Sequence, residues 1–312
     1  MIYQNREDLI RLTSLWQGER FDDGRPRVGD DLLRRVGNML IEDVCSPLRK
    51  RGFKCQFQGE LCRTRPKTRL LGRAITMAMV ASRPDVHMEL LNYGHRELGK
   101  RGYFNQWVVD AMRERDVLVA DVGGKVFEGT FLGGNLATVI HSRTKTGGAV
   151  IWGGIHDVEQ ISQMKGIQVY YRGSHPAPVQ DMMVSGVNVP CDIGGAICMP
   201  GDVVLGAVGG VVFIPAHLVE SVAIAGEKQQ VIDWFCFERL AQGAYTSSQL
   251  DLADWPPEIM EDFLLWFHTS PQSQPFQHLS WAEEQEKTRA AERYEWTGLS
   301  SMPYIRVDAD VK

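Results

Sequence analysis

The sequence predicts a mixed α/β fold, because segments with the apolar periodicity of helices alternate with short apolar runs typical of strands. Leu136, Val139 and Ile140 have the i, i+3, i+4 spacing of a helix with one buried stripe. Residues 149–152 form an apolar run between two glycine pairs, as expected of a strand buried on both faces. Residues 187–214 alternate and turn repeatedly, which predicts several short strands.

The sequence of the N-terminal region predicts mainly helices. Residues 1–29 are polar, and we interpret them as a helix followed by a loop. From Asp30 to residue 44, apolar side chains recur close to one helical face, with Asp30 or Asp31 as the N-cap. Pro47 is expected to end this helix, because proline lacks the N–H group that a helix interior uses.

The middle of the chain alternates between the two kinds of element. Its predicted segments, in order, are a strand at residues 70–80, helices at 86–98 and 105–113, a strand at 117–122, a helix start at 157–164, a strand at 166–171 and a helix at 215–230. Two of the strands run into glycine turns, one beside Asp121 and the other just before His156 and Asp157. The polar side chains that could take part in binding or catalysis therefore follow the ends of these strands.

The stretch from Gly133 to Asp157 is the candidate site. Gly133 and Gly134 precede a helix, and the backbone N–H groups at a helix N-terminus suit an anion such as a carboxylate. The strand that follows brings His156 and Asp157, an imidazole and a carboxylate, to its end. Asp157 could instead be the N-cap of the next helix, and Asp121 could cap its own glycine turn.

Composition limits the kinds of partner that are expected. The net charge is −5 and the pI is about 5.9, so the chain lacks the excess of positive charge that attracts nucleic acid. No apolar run is long enough for a membrane helix, and the N-terminus lacks an apolar leader. The six cysteines show neither a CxxC pair nor a zinc spacing, which indicates reduced thiols. These features predict a cytoplasmic protein without nucleic-acid or membrane partners.

Seven segments between about residues 30 and 225 together resemble the RraA-like family, and they occur in the family's order. They are IEDVCSPLRKRG, LLGRAITMAMV, DVLVADVGG, GGNLATV, GGAVIWGGIHDVEQI, IQVYYRGSHPAPV and MPGDVVLGAVGGVVFIP. The family includes the 4-hydroxy-4-methyl-2-oxoglutarate aldolases and the regulator of ribonuclease E activity A. Its members often carry the mistaken name demethylmenaquinone methyltransferase.

The resemblance implies a β/β/α swivelling-domain fold, in which a curled mixed sheet is flanked by helices, and a homotrimer or homohexamer with sites between subunits. It divides the chain into an N-terminal helical extension at residues 1–29, an RraA-like catalytic domain at 30–229 and a C-terminal extension at 230–312. The C-terminal extension is expected to be helical or irregular and to pack on the core or on a neighbouring subunit. Its tryptophans are Trp234, Trp255, Trp266, Trp281 and Trp296.

The resemblance also implies a divalent-metal-dependent lyase. In the aldolases of this family, Mg²⁺ or Mn²⁺ stabilises the enolate that remains when a C–C bond next to a ketone is cleaved. Carried over by position, Asp157 would be the metal ligand and a catalytic residue, and Asp121 matches the acid that follows the family's central strand. The carboxylate of an oxo acid would be bound by a turn made of Gly133, Gly134, Asn135 and Leu136.

Three departures from the family pattern bear on this assignment. His156 stands where the family has Arg. His cannot donate two parallel hydrogen bonds to one carboxylate, as the guanidinium group of Arg can. Gly134 stands where the turn usually carries Asp or Glu, and a later loop that is acidic in many relatives reads GAVGG at residues 206–210. We expect the three changes to surround one pocket.

The role of His156 is a separate question. We hypothesise that His156 is a general acid/base or polarises a carbonyl beside a metal on Asp157. The alternative is that it only hydrogen-bonds within a turn.

Three functions remain open from the sequence. The first is a metal-dependent lyase of the aldolase or decarboxylase type, acting on an oxo acid or a related small carbonyl compound. The second is a non-catalytic, protein-binding regulator of the RraA type, which the loss of the Arg and the tryptophan-rich tail both permit. The third is an enzyme of altered chemistry that uses His156 as acid/base on a bulkier or aromatic substrate. Asp157, Asp121 and the glycine turn favour an enzyme, because a binding module would not need them.

Overall fold

Helices and strands alternate along the described part of the chain, residues 3–252 and 254–291, in a computed structural model. The helices are α1 (Arg6–Leu12), α2 (Asp30–Gly37), α3 (Ile41–Lys50), α4 (Pro84–Arg96), α5 (Phe104–Asp110), α6 (Gly134–Thr144), α7 (Val158–Gln163), α8 (Val219–Ala241), α9 (Ser247–Leu250), α10 (Pro257–Thr269) and α11 (Ala282–Ala291). The strands are β1 (Phe57–Gln58), β2 (Cys62–Arg63), β3 (Leu70–Ala81), β4 (Asp116–Asp121), β5 (Thr130–Leu132), β6 (Gly148–Ile155), β7 (Gln168–Ser174), β8 (Met182–Val187), β9 (Cys191–Ile193), β10 (Ala196–Cys198), β11 (Val203–Ala207) and β12 (Gly210–Ile214). Short 3₁₀ turns lie at Ala216–Leu218 and Gln274–Phe276.

Ten of the described strands form one mixed sheet. Its order is β1-β12-β11-β3-β4-β6-β7-β2, with β5 paired to β6 and β8 paired to β3. The central strands β3, β4, β6 and β7 are parallel, while β1, β2, β8, β11 and β12 pair antiparallel to their neighbours. Parallel neighbours need a crossover connection, and α4 with α5, α6 and α7 supply these crossovers.

The sheet is curled, as the family resemblance implies. The hydroxyl of Tyr170 on β7 donates to the carbonyl oxygen of Ala207 on β11 at 2.8 Å, although β6, β4 and β3 stand between these two strands in the sheet. The space enclosed by the curl is filled by apolar side chains of the strands and of the β9–β10 hairpin, including Val119, Val150 and Ile193. The expected curled mixed sheet with flanking helices is therefore confirmed.

Helices cover the outer face of the curled sheet in two groups. In the first group, α5 and α6 pack Phe104, Trp107 and Ile140 against the parallel strands. In the second group, α2, α3 and the first turn of α8 pack against β11 and β12. The candidate site lies on the side that carries α5 and α6.

The expectation that Pro47 ends the first long helix is wrong. The helical pattern is divided into α2 and α3, and Pro47 lies inside α3, which continues to Lys50. A proline removes one intrahelical hydrogen bond. The last turn of α3 nevertheless persists because Val44 and Leu48, both fully buried, pack with apolar residues of β11 and β12.

The chain divides into two compact units, and the boundary follows Ala223, inside α8. The residues before α2 belong to the first unit. Within that segment Arg25 is fully buried and donates to both carboxylate oxygens of Asp116, each at 3.1 Å. This paired contact ties the N-terminal segment to the start of β4.

The second unit has an aromatic core of its own. Its buried tryptophans Trp255, Trp266 and Trp281 cluster with Phe263, and Trp234 is partly buried against them. Trp296 lies outside the described residues. Among the helices that the structure describes, none combines the length and the apolar character needed to cross a bilayer.

Candidate functional site

A cavity of about 740 Å³ opens on the α5–α6 face of the first unit. It is bounded by the ends of β3 and β5, the first turns of α5, α6 and α7, and the segment that leads into β8. The predicted site residues that line it are Gly133, Gly134, Asn135, Leu136, His156 and Asp157. The structure thus brings the predicted carboxylate cradle and the predicted imidazole–carboxylate pair to one place.

The cradle is the N-terminus of α6. Gly133 is the N-cap, and its carbonyl oxygen accepts the first helical hydrogen bond, from the N–H of Ala137 at 3.0 Å. The N–H groups of Asn135 and Leu136 lie in the first turn, where the helix offers no acceptor. These groups and the positive end of the helix dipole suit a bound anion.

Asp157 is held in place by this same helix N-terminus. Its carboxylate Oδ2 accepts a hydrogen bond from the N–H of Gly134 at 2.9 Å. Asp157 occupies the N-cap position of α7, but its side chain makes no capping hydrogen bond there. Its φ of 54° places the backbone in the left-handed region, which Asp tolerates better than most residues. The carboxylate therefore points towards the cradle and not along its own helix.

His156 lies beside that carboxylate. Its Nε2 is 3.6 Å from Asp157 Oδ2, and its Nδ1 is 3.4 Å from the carbonyl oxygen of Pro176. The imidazole is 34% exposed, so it remains accessible from the cavity. Gly133 packs directly against it, because a Cβ at that position would lie 2.0 Å from Nε2.

Asp121 is not among the residues that line this cavity. It ends β4, where its Oδ1 accepts a hydrogen bond from the N–H of Gly123 at 2.8 Å. Burial raises the pKa of Asp121 above its ordinary value, and the nearby carboxylate of Asp192 adds to this rise. Its neighbours across the strands are Ala78 and Trp152, whose side chains pack with the interior of the curled sheet. A catalytic role for Asp121 therefore stays a prediction, and the structure does not bring this residue to His156 and Asp157.

Within one chain, the three departures from the family pattern do not line one cavity. His156 and Gly134 line the cavity described above, but the loop at residues 206–210 does not. This loop is the β11–β12 hairpin, and Ala207 and Val208 border a separate cavity together with Leu40 and Lys67. A single pocket for all three changes therefore stays a prediction, which depends on the expected arrangement of subunits.

The structure adds cavity residues that sequence reasoning missed. Gln160 lies in the first turn of α7, and its Oε1 is 2.8 Å from the place that a Cβ on Gly134 would take. Its spacing of three residues from Asp157 was the signal that could have found it. The other additional lining residues are Met79, His87, Tyr103, Phe104, Asn105, Gln106, Thr130, Phe131, Leu132, Pro178, Val179, Gln180, Asp181 and Met182.

Asp157 is a cavity residue whose carboxylate fits a divalent ion. Its side chain is 40% exposed and offers hard carboxylate oxygens. Among the described residues there is no group of three or more His, Cys, Asp or Glu side chains that could hold a metal. Mg²⁺ is usually bound through one or two carboxylates while water and substrate supply its remaining ligands, so a single carboxylate fits such an ion. It does not fit the four-ligand cage of a structural zinc.

Comparisons with solved structures support the fold. RraAS2 from Streptomyces coelicolor, described as an unusual member of the RNase ES inhibitor RraA protein family, aligns with a TM-score of 0.58 and 22% identity over 69% of this chain and 100% of that chain. An uncharacterized protein from Pseudomonas syringae pv. tomato aligns with a TM-score of 0.57 and 18% identity over 72% and 98% of the two chains. At these identities the likeness shows a shared fold alone.

Comparisons of sequence place the chain in a family. A curated relative from Halalkalibacterium halodurans, named "Putative 4-hydroxy-4-methyl-2-oxoglutarate aldolase", is 30% identical over 135 residues, or 41% of this chain. The match spans 61% of the length of that relative. The RraA-like family model, described as Aldolase/RraA, matches residues 41–213. Because this match covers more than half of the sequence, the chain belongs to the RraA-like family, which includes both aldolases and RraA regulators.

Proposed function

We propose that the protein is a divalent-metal-dependent lyase, of the aldolase or decarboxylase type, that cleaves a C–C bond in an oxo acid or a related small carbonyl compound. The observation that carries this proposal is the grouping of Asp157, His156 and the N-terminus of α6 on one wall of the cavity. Such a reaction needs a place for a carboxylate, a hard ligand for an ion and a group that can exchange a proton. The wall offers all three.

Each group has a distinct role in the proposal. The N–H groups of Asn135 and Leu136 would bind the substrate carboxylate, and Asp157 would hold Mg²⁺ or Mn²⁺. Stabilisation of a developing oxyanion by a Lewis acid is the chemistry that such an ion supplies when bound. His156, with Nε2 3.6 Å from Asp157 Oδ2, would polarise the substrate carbonyl or act as its general acid/base.

Gly134 and Gly133 keep these groups in position. The N–H of Gly134 holds one oxygen of Asp157, which fixes the orientation of the carboxylate. Gly133 leaves room for the imidazole of His156. We include in the proposal the homotrimer or homohexamer that the resemblance implies and the cytoplasmic location that the sequence predicts.

The decisive experiment is calorimetric titration with Mg²⁺ and Mn²⁺, followed by oxalate, which mimics the enolate of pyruvate. We expect the intact protein to bind the ion and then to bind oxalate more tightly than the ion-free protein does. Asp157→Asn removes the charge but keeps the shape of the side chain and its tolerance of a positive φ. We therefore expect this variant to lose both binding events while its stability changes little.

Asp181→Asn is the matched control. Asp181 lines the same cavity and has the same φ of 54° as Asp157, but it lies far from α6 in sequence, just before β8. Ion binding should survive in this variant. If the intact protein binds neither ion, or if Asp157→Asn binds as well as the intact protein, the proposal is wrong, and the RraA-type regulator becomes the better hypothesis.

A further inference from the structure

We propose that the cavity selects an oxo acid with a single carboxylate and an uncharged, bulky end, aromatic or branched, and that it rejects a substrate with a second carboxylate. This inference rests on the proposed function, because it takes the first carboxylate to lie at the α6 N-terminus. It goes further by naming the part of the substrate that the rest of the cavity accepts.

The charges that line the cavity argue against a second carboxylate. The lining side chains that can carry a charge near neutral pH are Asp157, Asp181, His87 and His156, and among the described lining residues there is no Lys or Arg. The α6 N-terminus and an ion on Asp157 would balance one carboxylate. A second one would face Asp181 without a cation, and desolvating an unpaired charge is strongly unfavourable.

The two histidines and Lys125 do not change this balance. His87 has its Nδ1 3.1 Å from the hydroxyl of Ser82, and its ring packs edge-on against Phe104. His156 already lies beside Asp157. Lys125 donates to the carbonyl oxygen of Gln180 at 3.0 Å, but it is not a lining residue.

The remaining wall consists of apolar side chains and of neutral polar ones. Met79, Phe131 and Met182 are among its apolar residues. The amide of Asn105 is hydrogen-bonded on both sides, because its Nδ2 donates to Phe131 O at 2.8 Å and its Oδ1 accepts from the N–H of Gln106 at 3.1 Å. These neutral groups present no charge to a ligand.

The size of the cavity and the ring at its rim favour a bulky end. A volume of about 740 Å³ exceeds what a three-carbon oxo acid would fill, and pockets of this size commonly hold larger ligands. Tyr103 lines the cavity and is 61% exposed, so its ring is free to cover an aromatic or branched group.

The test compares three probes on the Mn²⁺-loaded protein by calorimetry: pyruvate, phenylpyruvate and 2-oxoglutarate. All three share the oxo-acid head, while the second adds an aromatic ring and the third adds a carboxylate. We expect phenylpyruvate to bind at least about tenfold more tightly than 2-oxoglutarate, and also more tightly than pyruvate.

A pair of variants tests the charge argument directly. Gln180 is anchored by its backbone, since its N–H donates to Glu128 O at 2.9 Å and its carbonyl accepts from Lys125, so its side chain can be exchanged. Gln180→Arg adds a cation to the lining and should strengthen 2-oxoglutarate binding several-fold. Gln180→Met, of similar length but uncharged, should leave that affinity unchanged.

The outcomes separate this inference from the proposed function. If Mn²⁺ and oxalate bind but 2-oxoglutarate binds as tightly as phenylpyruvate, the inference is overturned and the lyase proposal stands. The same holds if phenylpyruvate binds no better than pyruvate, or if Gln180→Arg has no effect on 2-oxoglutarate. If neither Mn²⁺ nor oxalate binds, the proposed function fails and this inference fails with it.

Discussion

At the scale of single residues, Gly133 packs closely against the imidazole of His156. A Cβ on Gly133 would lie 2.0 Å from Nε2 and 2.3 Å from Cδ2 of that ring. The backbone of Gly133 has a φ of −131°, which any residue can adopt, so conformational strain does not require glycine here. Glycine is needed here because a side chain would displace the imidazole and would also crowd the carboxylate of Asp157, whose Oδ2 would lie 3.1 Å from the added Cβ.

We therefore expect Gly133→Ala to displace His156 without unfolding the protein. The imidazole is 34% exposed and can move aside, so the free energy of unfolding should change by less than about 1 kcal/mol. The imidazole NMR signals of the metal-free protein should shift, and the affinity for oxalate with Mn²⁺ should fall. Gly209→Ala is the control, because a Cβ there meets nothing within 4 Å. Unchanged His156 signals in Gly133→Ala would contradict the contact.

At the scale of elements, a buried carboxylate organises the turn that leads into β11. Asp202 is 4% exposed, and its Oδ2 accepts a hydrogen bond from the N–H of Met199 at 2.8 Å. Burial raises the pKa of Asp202 from 3.8 to about 7, although hydrogen bonds from the N–H groups of Met199 and Ala216 oppose this rise. The turn thus contains a group whose protonation depends on folding.

This group should make stability depend on pH in a defined direction. Between pH values of about 4 and 7, the folded state binds more protons at Asp202 than the unfolded state does, so the free energy of unfolding falls as the pH rises. Asp202→Asn removes the titration and keeps an oxygen that can accept from Met199. Denaturant titrations should show the variant gaining stability relative to the intact protein as the pH rises through this range. Parallel pH profiles for the two proteins would disprove the assignment.

The elements that carry the site could be predicted from the sequence because their determinants are local. The apolar spacing in α6, the glycine-bounded run in β6 and the order His156–Asp157 all lie within one stretch of chain. Pro47 misled the prediction, because burial of Val44 and Leu48 outweighs the loss of one helical hydrogen bond.

The rest of the site could not be predicted because it depends on tertiary structure. The positive φ of Asp157 and its hydrogen bond to Gly134 exist only because β6 ends beside the N-terminus of α6. Met79, Phe131 and Met182 come from three distant parts of the chain, and no sequence periodicity links them. The same limit applies to the loop at residues 206–210, which borders a different cavity of the same chain.

At the scale of the whole molecule, the two units are each stabilised by their own buried residues. The first unit contains the curled sheet, its helices and the candidate site. The second unit is built around Phe263, whose ring centroid lies 4.6 Å from that of Trp281 and 5.4 Å from those of Phe235 and Trp255. Four tryptophans of the C-terminal extension thus have a structural role in this unit, namely Trp234, Trp255, Trp266 and Trp281.

The aromatic cluster predicts how the second unit responds to mutation. Phe263 is fully buried, so Phe263→Ala should lower the free energy of unfolding of that unit by about 3–5 kcal/mol, through lost burial and the cavity left behind. Leu265→Ala is the matched control on the same helix, because Leu265 is 66% exposed and its truncation should cost no more than about 0.5 kcal/mol. Denaturant unfolding followed by tryptophan fluorescence measures both, since Trp255, Trp266 and Trp281 report on this cluster. Equal effects of the two substitutions would mean that the ring of Phe263 is not the centre of the packing.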